Sequence, residues 1–467
     1  MLFNSFEYLA VFLPGVFLLF YLLARLERAT AARLLLLFAS LYFYAYWKIG
    51  YLPLLLTSML VNYSIGELLR RPGVSRMRYA LLSVGVCFNL GLLGYYKYFD
   101  FLVSNLNSVT ELAIPQAHLL LPLAISFYTF QQIAYLVDSY RRHVAAPGLL
   151  NYCLFVSFFP QLIAGPIVHH SKLVPQFSRE SFGRIEWDNV RIGLFLIALG
   201  LFKKTVLADA LVPLVQSGFA ASANLPPHEA AFITLAYSFQ LYFDFSGYTD
   251  MALGAARLFN VRLPLNFNSP YKAHNIRDFW RRWHITLNDF MTRYVYGPLR
   301  GRVRTGLRPL VAIFLTFVLV GVWHGAGWNF VLFGILHGVA VLFVTIMAGR
   351  MQWLPRKFSI LLTFGFFLFS LVLFRSVDAD AAFAMYRSLL DWRYYFSPTL
   401  PGAAIEASLL DYGLVAFCAI LCFGMRNSNQ LAADTRVQQR MLPIALAIFI
   451  LALSVNTETS EFIYFNF

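Results

Sequence analysis

Apolar stretches recur along this chain, at residues 8–24, 34–47, 49–65, 79–96, 119–137, 149–167, 192–202, 230–242, 310–323, 330–347, 360–374, 408–425 and 441–455. A helix needs about 20 apolar residues to cross a bilayer, so the longer runs read as spans and the shorter ones as re-entrant pieces. The expectation is an all-α, polytopic integral membrane protein with roughly ten to twelve crossings. With 59% hydrophobic and 13% charged residues, the chain leaves no room for a large soluble domain, so residues 1–467 read as one integral domain.

Charge sets the expected orientation. Arg25, Arg28 and Arg33 follow the first run, and Arg70, Arg71, Arg76, Arg78, Arg141 and Arg142 close later ones. The positive-inside rule places these in the cytoplasm, with the N-terminus and the tail bearing Glu458 and Glu461 outside. Nothing basic precedes the first run, which reads as an uncleaved anchor. The net charge of +14 is the same bias on the scale of the whole chain and does not indicate a nucleic-acid partner. The cysteines Cys87, Cys153, Cys418 and Cys422 sit in apolar windows, and no His, Cys or carboxylate set has metal-ligand spacing, so no metal is expected.

The long break in hydrophobicity runs from 266 to 309 and carries Lys272, Arg277, Arg281, Arg282, Arg293, Arg300, Arg302, Arg304 and Arg308. Asn275 can cap a helix opening at Ile276, with Asp278 in its first turn. Phe279, Trp283, Leu287 and Phe290 would then form one apolar face of an amphipathic helix at the cytoplasmic interface or dipping below it. Arg281 and Arg282 suit a phosphate or headgroup, because guanidinium forks match its oxygens. His284 lies in "FWRRWHITL", four residues after Trp280 and next to Trp283.

His324 stands in "GVWHGAGWNF" at the end of a long apolar run. An ionisable group at membrane depth is costly and usually partnered or functional. Gly325 and Gly327 can unwind the helix and aim the imidazole at a cavity. His337 is 13 residues on, about 220° round a continuous helix, and shares a face with His324 only if the helix restarts; packing and function stay open for it. In "SFQLYFDFSGYTDMALG", Asp244 and Asp250 accompany Gln240, Tyr242, Ser246 and Tyr248, and Gly247 suggests a broken helix. Buried carboxylates need a cationic partner or donors, so these are expected to hold a histidine or an arginine in place. The serine lacks the glycine of a nucleophile elbow. The absence of matched halves counts against a transporter or flippase, the rival class; a non-catalytic scaffold would not need buried ionisable groups at helix breaks.

"LPLAISFYTFQ", "FPQLIAGPI", "LYFDFSGYTDMALG", "NFNSPYKAHNIRDFWRRWHITL", "GVWHGAGWNFVLFGILHG" and the closing "FIYFNF", in this order, resemble the bacterial branch of the membrane-bound O-acyltransferases, in particular the membrane subunits of alginate O-acetylation. The resemblance runs nearly end to end. It implies a ring of helices around a thinned centre, open to the cytoplasm for an acyl donor and to the outside through a funnel. It implies acyl transfer to a hydroxyl in the bacterial inner membrane, where the outside termini expected from the charge bias would be periplasmic. His324 matches the family's near-invariant histidine and His284 its second polar position. After "RRWH" this chain reads "YGPLRGRVRTG" where alginate-system relatives carry a glycine-rich loop, so alginate, peptidoglycan, cellulose and other envelope polymers all stay open as acceptors.

On this reading His324 is the general base and His284 positions the thioester or relays a proton. Backbone N–H groups of residues 325–327, Trp328 Nε1 or Asn329 would receive the oxyanion. Arg277, Arg281 and Arg282, with Trp280 and Trp283, would hold acetyl-CoA, a donor substrate; no permanently bound cofactor is expected. Trp323, Tyr242, Asp244, Asp250, Asn329 and His337 would support the site. The expected partners are membrane lipid, a periplasmic SGNH-like acetyltransferase and a polysaccharide.

Overall fold

The computed structural model describes residues 1–72, 74–142, 148–163, 165–223, 225–347, 349–350, 353–396, 405–434, 436, 443, 447 and 449–450. Among these, every regular element is a helix. Six are long and apolar enough to cross a membrane: Glu7–Arg25, Ile49–Arg70, Ser75–Val109, Leu307–His324, Trp328–Met347 and Arg356–Arg375. Ala29–Ala45 and Leu409–Gly424 are shorter apolar helices. Most of the 441–455 run, Glu458, Glu461 and the closing motif lie outside the described residues. Large apolar side chains such as Leu18, Phe38, Leu60, Phe343 and Leu361 point outward on these helices. Water would penalise that surface, whereas lipid does not.

Prolines shape two of the apolar runs. The 119–137 run becomes helical only at Ile125, after Pro122 and a left-handed Ala124. The 149–167 run breaks at Phe158 into Leu149–Ser157 and Phe159–Leu162, where Pro160 can enter a first helical turn but not extend an existing ladder.

Packing groups the chain into two units: Met1–Leu201, Tyr248–Leu265 and the described part of Asp434–Asn466, and then Phe202–Gly247 with Asn266–Ala433. In the first unit, lipid supplies no hydrophobic force between helices, so close approach and polar contacts hold them. A Cβ built on Gly193 would lie 2.8 Å from the Gly254 carbonyl oxygen. Asn62 and Asn89 exchange side-chain hydrogen bonds at 3.2 and 2.6 Å, both buried.

Gly247 does not break its helix. Pro227–Leu258 is continuous over 32 residues, because one glycine costs only about 1 kcal/mol in a helix whose faces are packed. Six residues on an unbroken helix put Asp244 and Asp250 about 240° apart.

In the second unit, Leu307–His324 and Trp328–Met347 cross at glycine. A Cβ on Gly321 would strike the Phe330 carbonyl oxygen and come 2.8 Å from Gly334 Cα, both backbone atoms that cannot swing aside. Gly321→Ala is therefore expected to lower the melting temperature in detergent, although alanine is the better helix former by about 1 kcal/mol. A rise would mean that the crossing can loosen.

Candidate functional site

The basic segment begins as its cap pattern dictates. Asn275 Oδ1 accepts the Asp278 N–H at 2.9 Å, and the helix runs Ile276–Trp280. It then stops, and the single amphipathic helix expected here does not form. His284 takes φ 44°, ψ 52°, a left-handed conformation uncommon outside glycine, and a second helix follows it at Ile285–Met291. A loop holds the turn. Asn266 accepts the Ile285 N–H on its backbone oxygen (3.0 Å) and the Thr286 hydroxyl (2.6 Å) and N–H (3.3 Å) on Oδ1. Asn268 N–H reaches the Arg282 carbonyl at 2.9 Å. The face of Phe279, Trp283, Leu287 and Phe290 is buried in protein rather than laid on an interface.

The second break lies where the glycines predict it. The Leu307–His324 helix ends on His324, Gly325 is extended, and Trp328 restarts the next helix. Any side chain on Gly325 would collide with the Phe330 ring, which packs 5.6 Å from Phe374. The His324 ring is 5.0 Å from both Trp323 and Phe374 and 6.0 Å from Phe333. The His284 ring is 4.9 Å from Phe245 and 6.0 Å from Trp323. Two histidines, each at a helix break, thus share the Trp323 indole, and both are buried (His324 3% exposed, His284 0%).

Burial pushes His284 down to about 3, so it is neutral near pH 7. Its unfolded value is near 6.5, so the unfolded chain binds the extra proton first as pH falls. Stability from this group is complete above about pH 6.5 and is lost as pH falls towards 3. Unfolding followed across that range should show a shallower acid loss in His284→Gln than in the wild type.

The other assigned residues separate into roles. His337 accepts Trp280 Nε1–H on Nδ1 (3.2 Å), so its proton sits on Nε2, facing Ser370 Oγ at 3.0 Å. Both ring nitrogens of His337 are thus engaged, one of them by the Trp280 indole. Asn329 spends its amide on the Leu373 and Ser376 carbonyls (3.2 and 2.9 Å), and Trp328 is 57% exposed. The Asn329 carboxamide is therefore not placed as the oxyanion donor that its sequence position suggested. Trp283 and Tyr242 belong to an aromatic cluster with Phe267 and Tyr271. Asp250 is buried and belongs to the first unit.

The cation seen beside Asp244 is a lysine. Lys204 Nζ lies 2.6 Å from Asp244 Oδ1 and 2.9 Å from Asp209 Oδ1. Lys204 as the partner of Asp244 and Asn266 as the anchor of the turn after His284 were both missed. Lys204 carries a signal, a cation at the edge of an apolar run, but its partner is 40 residues away.

Two cavities open beside the basic segment. One of about 520 Å³ is lined by His274, Asn275, Arg277, Asp278, Arg281, Arg282 and Arg356 among others. Asp278 already engages Arg282 and His274, both at 2.9 Å, while Arg277 and Arg281 are exposed. The second, about 420 Å³, shares Arg277 and Arg281 and continues past Trp280, Thr316 and Phe317 to Val320, one helical turn before His324.

A family model for membrane-bound O-acyltransferases matches residues 111–378. A peptidoglycan O-acetyltransferase of Helicobacter pylori is 36% identical, the match covering 100% of this chain and 98% of that protein. A probable alginate O-acetylase of Azotobacter vinelandii is 36% identical over 91% of this chain and 85% of its own length. Another, of Pseudomonas putida, is 34% identical over the full length of both.

Proposed function

Because this chain belongs to the membrane-bound O-acyltransferase family, we propose that it takes an acetyl group from cytoplasmic acetyl-CoA and delivers it outward for O-acetylation of a cell-envelope polysaccharide, through a periplasmic SGNH-like transferase. The names of these three relatives divide between peptidoglycan and alginate, and the shared chemistry is an acyl group passed to a hydroxyl. Positive-inside bias puts the basic cavity on the cytoplasmic face and both termini outside.

The donor's phosphates lie against Arg277, Arg281 and Arg356 in the wider cavity. Its pantetheine arm follows the narrower one towards Val320, which brings the thioester up to the turn carrying His324. His324 takes the proton of the acceptor hydroxyl as its oxygen adds to the carbonyl carbon. The tetrahedral oxyanion is met by backbone N–H groups of residues 325–327, which lie outside the helical ladder. On collapse the C–S bond breaks, and the imidazolium returns its proton to the leaving thiolate. His284, neutral and fixed in its turn, orients the thioester. The observation that carries the reading is the pair of buried histidines at helix breaks around one indole, with a basic cavity ending one turn away.

Labelled acetyl-CoA supplied to the protein in lipid vesicles tests the donor assignment. Arg277→Ala and Arg281→Ala should each raise KM for acetyl-CoA by about tenfold with kcat little changed, the equivalent of one charge-assisted contact. Acetyl-pantetheine, which lacks the nucleotide phosphates, should show no such increase. Equal KM values for the variants and wild type with acetyl-CoA would remove the donor from this cavity.

A further inference from the structure

We propose that Asn266 is a further catalytic residue, its Nδ2–H donating a hydrogen bond to the carbonyl oxygen of the acyl group. The inference rests on the acyl-transfer reading and adds a residue to it. Asn266 is wholly buried. Its Oδ1 is committed to Thr286 and its backbone oxygen to Ile285, so it grips the two residues that follow His284. Its Nδ2 has no hydrogen-bond partner among the described residues. Leaving a buried amide donor unmatched is costly, and native structures rarely do so without a reason.

The residue type sharpens the argument. Satisfying Thr286 requires only an acceptor, which an aspartate or a serine would provide. A carboxamide accepts at one end and presents two N–H donors at the other. Its chain neighbour Phe267 packs 4.9 Å from Phe245, the same ring that lies 4.9 Å from His284. The donor therefore belongs to the buried wall around His284. What complements it is an acceptor oxygen, and the thioester carbonyl supplies one. As the hydroxyl oxygen adds to the carbonyl carbon, an electron pair moves onto that oxygen, and the Nδ2–H stabilises it. No other bond changes at Asn266.

The test compares wild type, His324→Ala, Asn266→Asp, Asn266→Ser and Thr286→Val for transfer from labelled acetyl-CoA in vesicles. Only variants that elute and melt like wild type are compared. Asn266→Asp keeps the acceptor for Thr286 and loses the donor, so kcat should fall about a hundredfold with KM little changed. A buried carboxyl is pushed towards its protonated form, whose O–H can replace the missing donor. Asn266→Asp activity should therefore rise as pH is lowered, relative to wild type. Asn266→Ser should show the same loss without that recovery, and Thr286→Val should lose far less. Wild-type kcat in Asn266→Asp or Asn266→Ser overturns the proposal. So does a Thr286→Val loss as large as theirs, which would mean that Asn266 acts only by holding the turn. Failure of both Asn266 variants to fold also overturns it, in favour of a structural role. If wild type and His324→Ala transfer alike, the acyl-transfer reading itself fails. If His324→Ala is silent while the Asn266 variants are active, only this inference does.

Discussion

Reconstituted in vesicles, His324→Ala protein is expected to transfer acetyl at least about a hundredfold more slowly than wild type while still binding acetyl-CoA. Removing a general base costs between about a hundredfold and ten-thousandfold, because the hydroxyl must then be deprotonated by water or not at all. The site is arranged for so large a dependence. His324 is 3% exposed, its ring is edged by Trp323, Phe333 and Phe374, and the helix ends at it. Solvent that could stand in for the imidazole has little access there. The split between the two constants separates this from a folding defect. Loss confined to kcat, with donor affinity retained, marks a group needed at the transition state. Equal movement of acetyl groups or of solute by both proteins would instead point to a transport function, and the base assignment would be wrong.

The second large effect concerns stability. Lys204→Met is expected to cost about 3–5 kcal/mol, enough to abolish recovery of folded protein or to lower its melting temperature sharply. Lys204 stands between Asp244 and Asp209, and its side chain and that of Asp244 are 3% and 4% exposed. Methionine fills similar volume but leaves two carboxylates facing each other without their cation. Asp244→Asn should be milder, since the amide still offers Lys204 an oxygen and Asp209 still balances the charge. Melting in detergent, followed by size-exclusion elution, ranks the variants. A Lys204→Met protein as stable as wild type would show that water or another group compensates the carboxylates.

Much of the site was legible because its signals are local. An ionisable residue closing an apolar run, followed by Gly325 and Gly327, is enough to locate both His324 and the helix break around it. Asn275 before Asp278 likewise marks a helix start within four residues. The break at His284 carried no such signal. Phe279, Trp283, Leu287 and Phe290 have helical spacing, yet the left-handed turn is imposed by Asn266, which reaches residues about twenty positions further on. The spacing correctly marked a buried face and wrongly implied one helix beneath it. Gly247 misled in the opposite direction, since a glycine permits a break but does not require one in a packed helix.

The sequence by itself determined the solvent of this protein, its all-helical class and its family, and it singled out the two histidines as candidates. Runs of apolar side chains must meet lipid or core wherever they fold, and a motif's residue types survive any arrangement. Only the tertiary structure decided which groups meet: Lys204 with Asp244, Trp280 with His337, Asn266 with the turn after His284, and Trp323 between the histidines. These contacts join positions 20 to 57 residues apart where the separation is a hydrogen bond or ion pair. Propensity and periodicity act over a few residues of one helix, whereas a side-chain hydrogen bond depends on which faces pack and at what height, and no local pattern encodes that.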